Sequence, residues 1–256
     1  MMADVRTNRF KRDLGKRQQL GIFSTFASPA LTEMFAQLGF DWLLLDTEHS
    51  PNEPSEVVAQ LQVMAALPAE PIVRPAWNDM VMVKRWLDFG AQTLLFPYVQ
   101  NAEEATRAVS YTRYPPHGAR GVSGSSRAAA YGLIPDYFAK VQKEICVIVQ
   151  IETTEALSRI EEIAQVDGVD AVFIGPADLA ASMGHLGNTQ APEVQAAIDD
   201  GFRRLKAIGK SAGYLTNNEG EAVRRVAQGI DFVGVANDTT IVARGARSLL
   251  ATVKGG

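Results

Sequence analysis

The chain has 256 residues, 46% hydrophobic and 21% charged, with 25 Lys and Arg against 29 Asp and Glu and a formal net charge of −4. That composition supplies one large apolar core and argues against disorder, while the acidic balance and the lack of a Lys/Arg run argue against a nucleic-acid or membrane partner. One cysteine, Cys146, and three histidines exclude an internal disulfide and a Cys/His zinc framework; with no apolar signal segment and no stretch of 18 apolar residues, a cytoplasmic protein is expected.

In chain order, a helical extension over 1–18 leads to a short apolar run of the buried parallel-strand kind, Leu20–Thr25. Ser28-Pro29 then starts a helix over Leu31–Leu38, and a second strand follows at Trp42–Asp46. Ser55 precedes a helix at Val57–Leu67, and Pro71–Arg74 and Thr93–Pro97 are the third and fourth strands. Asn101 opens a helix at Glu103–Tyr111, followed by the irregular, Gly-, Ser- and Pro-rich stretch Arg113–Asp136; a loop this long is expected to be functional or a lid. Strands at Cys146–Ile151, Ala171–Ile174, Ser211–Leu215 and Phe232–Val235 alternate with further helices, among them one that Thr153 starts before Glu155–Ile163. Glycines at 39, 90, 168, 209 and 229 close helices just before the next strand. A C-terminal helix is expected over 238–256. Eight β/α units in about 250 residues predict a single (β/α)8 TIM-barrel domain over 1–256. A doubly wound open sheet is the alternative, weakened because no Gly-rich dinucleotide fingerprint follows the first strand.

In a barrel, polar residues at the C-terminal ends of strands face the active site. The second strand ends in Asp46, Glu48 and His49; the third ends in Arg74; the fifth gives Gln150 and Glu152; the sixth gives Gly175 and Asp178. Glu152 and Asp178 come from adjacent strand ends and form a hard oxygen pair suited to Mg2+, Mn2+ or Co2+, whose shell water and substrate would complete. The alternative is that Glu152 pairs with a neighbouring Arg and Asp178 only caps its helix. Gly175-Pro176 leaves the amides of Ala177 and Asp178 free to bind an anion at a helix start. Arg74, in an apolar strand, needs an anionic partner, either a substrate or Asp46 or Glu48. His49 is either a packed or solvated histidine or a base set among carboxylates. His117 and His185 read as loop residues. All eight lysines fall in tails, helices or helix ends, which argues against Schiff-base chemistry.

The segments RPAWND, VKRWLDFGAQTLLFPYVQNAEEA, YPPHGARGV, QIET, FIGPADLAASMG and LLLDTEHSPN together resemble the HpcH/HpaI family of metal-dependent pyruvate aldolases, over about Gly21 to Val253. The resemblance implies a phosphoenolpyruvate/pyruvate-type barrel that cleaves 4-hydroxy-2-oxo acids, such as 4-hydroxy-2-oxoheptanedioate or 2-keto-3-deoxy sugar acids, into pyruvate and an aldehyde with one divalent cation per subunit. It implies Glu152 and Asp178 as metal ligands, Arg74 at the pyruvate keto oxygen, and Gln150 near the pyruvate. The pyruvate carboxylate would sit on the Gly175, Pro176 and Ala177 turn. His49 corresponds to the base and Asp88 to its carboxylate partner. Leu215 joins the substrate-binding set, with Asp46, Glu48 and Phe23 in supporting positions and Phe23 and Ser24 near the aldehyde. A homohexamer built as a trimer of dimers is implied, with the C-terminal helix exchanged between subunits.

Asp88 lies in the last turn of the helix after the third strand, toward the opposite barrel face from His49. It is therefore either structural or supplied to a neighbour's site, and the second is expected. The rival functions are a CoA-thioester lyase or phosphoenolpyruvate-using enzyme on the same barrel, and a non-catalytic sugar-acid-binding barrel.

Overall fold

The computed structural model describes residues 3–255; Met1, Met2 and Gly256, at the ends of the expected domain, lie outside the described residues. Eight strands, β1 (Gln19–Ser24), β2 (Trp42–Asp46), β3 (Glu70–Arg74), β4 (Thr93–Phe96), β5 (Cys146–Ile151), β6 (Ala171–Ile174), β7 (Ser211–Leu215) and β8 (Phe232–Asn237), run parallel in chain order and close with β1 on β8. This is the predicted (β/α)8 barrel, and its closure excludes the open doubly wound sheet. Burial on both faces explains why β2 to β6 read as near-continuous apolar runs.

The barrel interior is filled by alternate residues of each strand. Phe23, Trp42, Phe173 and Phe232 pack there in edge-on or tilted pairs with ring centroids 6.0–6.3 Å apart. These rings fit because glycine stands directly across from two of them: Gly21 pairs with Trp42 and Gly213 with Phe232, and a Cβ at either glycine would collide with the ring. The N-terminal extension contains the helix Arg9–Asp13, whose fully buried Phe10 meets Phe232 at 5.3 Å and closes the N-terminal end of the barrel.

Helix starts follow the predicted caps in three cases: the side chains of Ser28, Asn101 and Thr153 accept the first-turn amides of Leu31, Glu104 and Ala156. Ser55 does not cap. Its helix runs Pro54–Met64 with proline at the first position, and Ser55 instead hydrogen-bonds Glu56. The stretch after Thr153 is two short helices, Thr154–Ser158 and Ile160–Ala164, separated at Arg159.

The Arg113–Asp136 stretch is not a lid on its own barrel. It connects a helix to the following strand, and such connections lie at the N-terminal face. Arg127 fastens it there, donating to the carbonyls of Phe89 (2.6 Å) and Leu61 (3.3 Å), and the fully buried guanidinium of Arg120 lies 4.5 Å from the Tyr114 ring centre. The C-terminal helix, Asp238–Lys254, leaves Leu249, Leu250 and Val253 exposed.

Because the interior rings leave no room at Gly213, Gly213→Ala is expected to cost about 1–3 kcal/mol and to lower the thermal midpoint. Gly220→Ala, on an exposed helix where the nearest atom to a new Cβ is 3.4 Å away, should be neutral or slightly stabilising. Equal midpoints for the two variants would show that the interior can absorb the methyl group.

Candidate active site

The two-residue period of a strand carries the interior face of the barrel directly into the site. Trp42 and Leu44 point inward and Asp46 continues the row; Ile72 precedes Arg74, Ile148 precedes Gln150 and Glu152, and Phe173 precedes Gly175. The aromatic layer is thus the floor, with the Arg74 guanidinium 5.4 Å from the Phe23 ring centre.

Arg74 is buried, and β2–β3 pairing sets Asp46 directly beside it. Two parallel hydrogen bonds join them, Nε to Oδ1 at 2.8 Å and Nη2 to Oδ2 at 2.7 Å. Nη1 lies 2.9 Å from Glu48 Oε2, an ion pair whose alignment leaves that oxygen without a hydrogen-bond donor. Burial, opposed by the Arg74 charge, raises the Glu48 carboxyl above its ordinary range. His49 Nε2 stands 3.8 Å from the same Glu48 oxygen, and the His49 ring is 65% exposed.

Glu152 is almost wholly buried and makes no salt bridge. Its Oε1 accepts the Tyr98 amide at 2.8 Å, and its Oε2 accepts the Gln150 side-chain amide, whose own oxygen is buried without a partner. Tyr98 holds φ at 55°, an unusual conformation for a residue with a side chain, and donates that amide to Glu152. Burial, with further contributions from Glu48 and Asp178, pushes the Glu152 carboxyl up to about 7. Gly175 is necessary beside it, since a Cβ there would lie 2.6 Å from Glu152 Oε2. Asp178 sits exposed in the first turn of the helix Pro176–Ser182, whose cap position, Gly175, offers no side-chain acceptor.

Phe23, Asp46, His49, Arg74, Gln150, Glu152, the Gly175–Asp178 turn and Leu215 all line one cavity of about 770 Å3 at the C-terminal mouth, and Glu48 touches Arg74 at its edge. Asp88 does not join them. It ends the helix Met80–Asp88 and pairs at 3.4 Å with Arg120, of which Nε and Nη1 have no partner. Among the described residues no lysine lines the cavity. Sequence reasoning missed its far side, where Thr25, Thr216, Asn217 and Asn237 are backed by the buried carboxylates of Glu221 and Asp238. Thr25 was recoverable, being the next inward position after Gly21 and Phe23. Glu221 was not, since it reads as an ordinary polar helix residue.

The donor set fits a divalent cation. Asp46, Glu48, Glu152 and Asp178 supply four carboxylates against one arginine, and their mutual repulsion adds to burial in raising the Glu48 and Glu152 carboxyls above the ordinary range. Among the described residues no three His, Cys, Asp or Glu side chains form a preformed metal cage. Two carboxylates with open positions for water and substrate remain the available arrangement.

The sequence profile of the HpcH/HpaI aldolase/citrate lyase family matches residues 19–244. The chain is 51% identical over 249 residues to a pyruvate aldolase of Rhizobium etli, covering 97% of this chain and 98% of that one. It is 52% identical over 246 residues to a 4-hydroxy-2-oxo-heptane-1,7-dioate aldolase of Klebsiella pneumoniae, covering 95% and 93%. A crystal structure of a family protein from Burkholderia cenocepacia superposes with TM-score 0.94 at 37% identity, covering 97% of this chain and all of that one.

With its pKa pushed up from 4.5 to about 7, Glu152 in the metal-free protein keeps a proton that the unfolded chain releases across that window, so stability falls as pH rises through it. Glu152→Gln cannot ionise. In urea unfolding with chelator present, wild type should lose stability relative to this variant between pH 5 and 7.5, by an amount of order 3 kcal/mol. Parallel pH curves would contradict the buried acid.

Proposed function

The chain belongs to the HpcH/HpaI aldolase/citrate lyase family, and we propose that it is a cytoplasmic class II aldolase that reversibly cleaves 4-hydroxy-2-oxo acids into pyruvate and an aldehyde, with a divalent cation held by Glu152 and Asp178. The reading rests on the excess of carboxylates around Arg74 at the mouth of the barrel, which a doubly charged ion neutralises. When bound, that ion supplies positive charge where an enolate of pyruvate develops; Mg2+, Mn2+ and Co2+ all suit two oxygen ligands.

The chain's own groups account for the rest. The Ala177 and Asp178 amides at the start of Pro176–Ser182 bind the substrate carboxylate. Arg74, locked by Asp46, faces the keto oxygen without having to reorganise during the reaction. His49, free on the rim beside Glu48, takes the proton from the C4 hydroxyl as the C3–C4 bond breaks, and C3 is then protonated to give pyruvate.

In a homohexamer arranged as a trimer of dimers, Asp88 of an adjacent subunit orients His49. Support comes from the half-satisfied Asp88–Arg120 pair and from the exposed apolar residues of Asp238–Lys254, a helix suited to exchange between subunits. Among the described residues no helix is long and apolar enough to cross a membrane.

Pyruvate release from 4-hydroxy-2-oxo acids should be EDTA-sensitive, independent of CoA, and restored by Mg2+, Mn2+ or Co2+; a strict CoA requirement would overturn the aldolase reading. Asp178→Asn should reduce activity at least a hundredfold together with metal affinity, whereas His49→Ala should lower kcat with metal affinity nearly unchanged. Leu249→Glu with Val253→Glu should reduce the mass measured by light scattering, and an unchanged mass would exclude that helix from the assembly.

A further inference from the structure

We propose that the aldehyde half of the substrate carries hydroxyl groups and lacks a terminal carboxylate, selected by the cavity lobe formed by Thr25, Gln190, Thr216, Asn217 and Asn237. The inference rests on the aldolase reading and narrows its substrate class. The cavity continues from Arg74 and Glu152 past Leu215 to these five residues, well beyond the space that pyruvate fills.

Two buried carboxylates decide the polarity of this lobe. Asp238, fully buried at the start of the helix that follows β8, accepts the Thr25 hydroxyl at 2.6 Å and the amides of Thr25, Phe26 and Thr239 at 2.9, 3.1 and 2.7 Å. Glu221, also buried, accepts the Thr216 hydroxyl at 2.7 Å, the Tyr214 hydroxyl at 2.9 Å and the Gln190 side-chain amide at 2.7 Å. An ionised carboxylate only accepts hydrogen bonds, so each claims the single proton of its threonine. Thr25 and Thr216 are left with lone pairs to offer a ligand, and Thr25 Oγ1 also lies 3.3 Å from the Thr239 hydroxyl. Thr216 Oγ uses one of its own on the Asn218 amide at 3.1 Å.

The neighbours are neutral and mixed in character. Gln190 gives one amide hydrogen to Glu221 and keeps its carbonyl oxygen and its second hydrogen, while Asn237 Oδ1 is buried out of a ligand's reach. The donors these neighbours carry, the side-chain nitrogens of Asn217, Asn218 and Asn237 and the Thr239 hydroxyl, are uncharged, and the Asn217 oxygen already accepts the Asn237 amide at 2.9 Å. Arg74 is engaged by Asp46 and Glu48 at the other end of the cavity. Arg244, which donates to the Asn217 carbonyl, is paired with Glu219 and does not line the cavity. Glu221 is itself paired with Arg225 and Arg224, at 3.4 and 3.5 Å. What disfavours a carboxylate in the lobe is therefore the loss of water on meeting the Thr25 and Thr216 oxygens, with no cation among the described residues lining the lobe to pair with it. A hydroxyl group would donate to those same oxygens.

The test is aldol addition of pyruvate by the metal-loaded enzyme to glyceraldehyde, to propionaldehyde, which has the same carbon skeleton without hydroxyls, and to succinic semialdehyde. In wild type, kcat/KM for glyceraldehyde should exceed that for each of the others at least tenfold. Thr216→Val should lower the glyceraldehyde-to-propionaldehyde ratio several-fold, because the methyl group accepts no hydrogen bond. Asn217→Arg should raise succinic semialdehyde relative to glyceraldehyde, and this second variant keeps the test decisive if valine at 216 disturbs folding. Succinic semialdehyde used as well as glyceraldehyde, or ratios unmoved in the folded variants, would overturn the inference and leave the aldolase reading standing. Failure of every aldehyde, and of every 4-hydroxy-2-oxo acid in the cleavage direction, would overturn the aldolase reading itself.

Discussion

The site depends on an unbalanced charge. Four carboxylates, Asp46, Glu48, Glu152 and Asp178, gather at the mouth of the barrel around Arg74, and Glu152 is buried deeply enough that its pKa is pushed up to about 7. Such a cluster disfavours its own ionised state unless a positive charge joins it. The fold prevents escape by rearrangement. Asp46 is tied to Arg74 by two parallel hydrogen bonds, while Gln150 and the Tyr98 amide restrain Glu152 from two sides. The preorganisation that would cost a solvated site reorganisation during reaction is thereby built in during folding.

Much of this was legible in the chain because a barrel converts sequence parity into position. Inward residues recur every second place along a strand, so the row Trp42, Leu44, Asp46 could be followed to the mouth without coordinates, as could Ile148, Gln150, Glu152. Closure was not readable from periodicity, since parallel strands look alike in open and closed sheets; the β1–β8 pairing resolves it. The long Arg113–Asp136 stretch reads from its composition as a functional loop or a lid, and its place between a helix and β5, at the opposite face of its own barrel, excludes a lid over its own site.

Relations between residues distant in sequence stayed hidden. The Thr25–Asp238 contact joins the ends of β1 and β8, at opposite ends of the chain, and no local pattern marks it. Glu221 is a helix residue whose neighbours give no sign that it lies buried against Tyr214, Thr216 and Arg225. Tyr98 carries no signal for its left-handed backbone, although that conformation accompanies the amide bond to Glu152. The strand ends pointed to Glu152 and Asp178 and the family resemblance implied their role, whereas only the folded chain revealed what stands behind the far side of the cavity.

Diffraction from crystals soaked with Mn2+ and pyruvate, with anomalous differences collected near the manganese edge, tests the central claim most directly. The account predicts one strong peak per subunit bridging the carboxylates of Glu152 and Asp178, with pyruvate oxygens beside it and facing Arg74. A peak held by other residues, or ordered pyruvate in the cavity with no manganese between those two side chains, would contradict it.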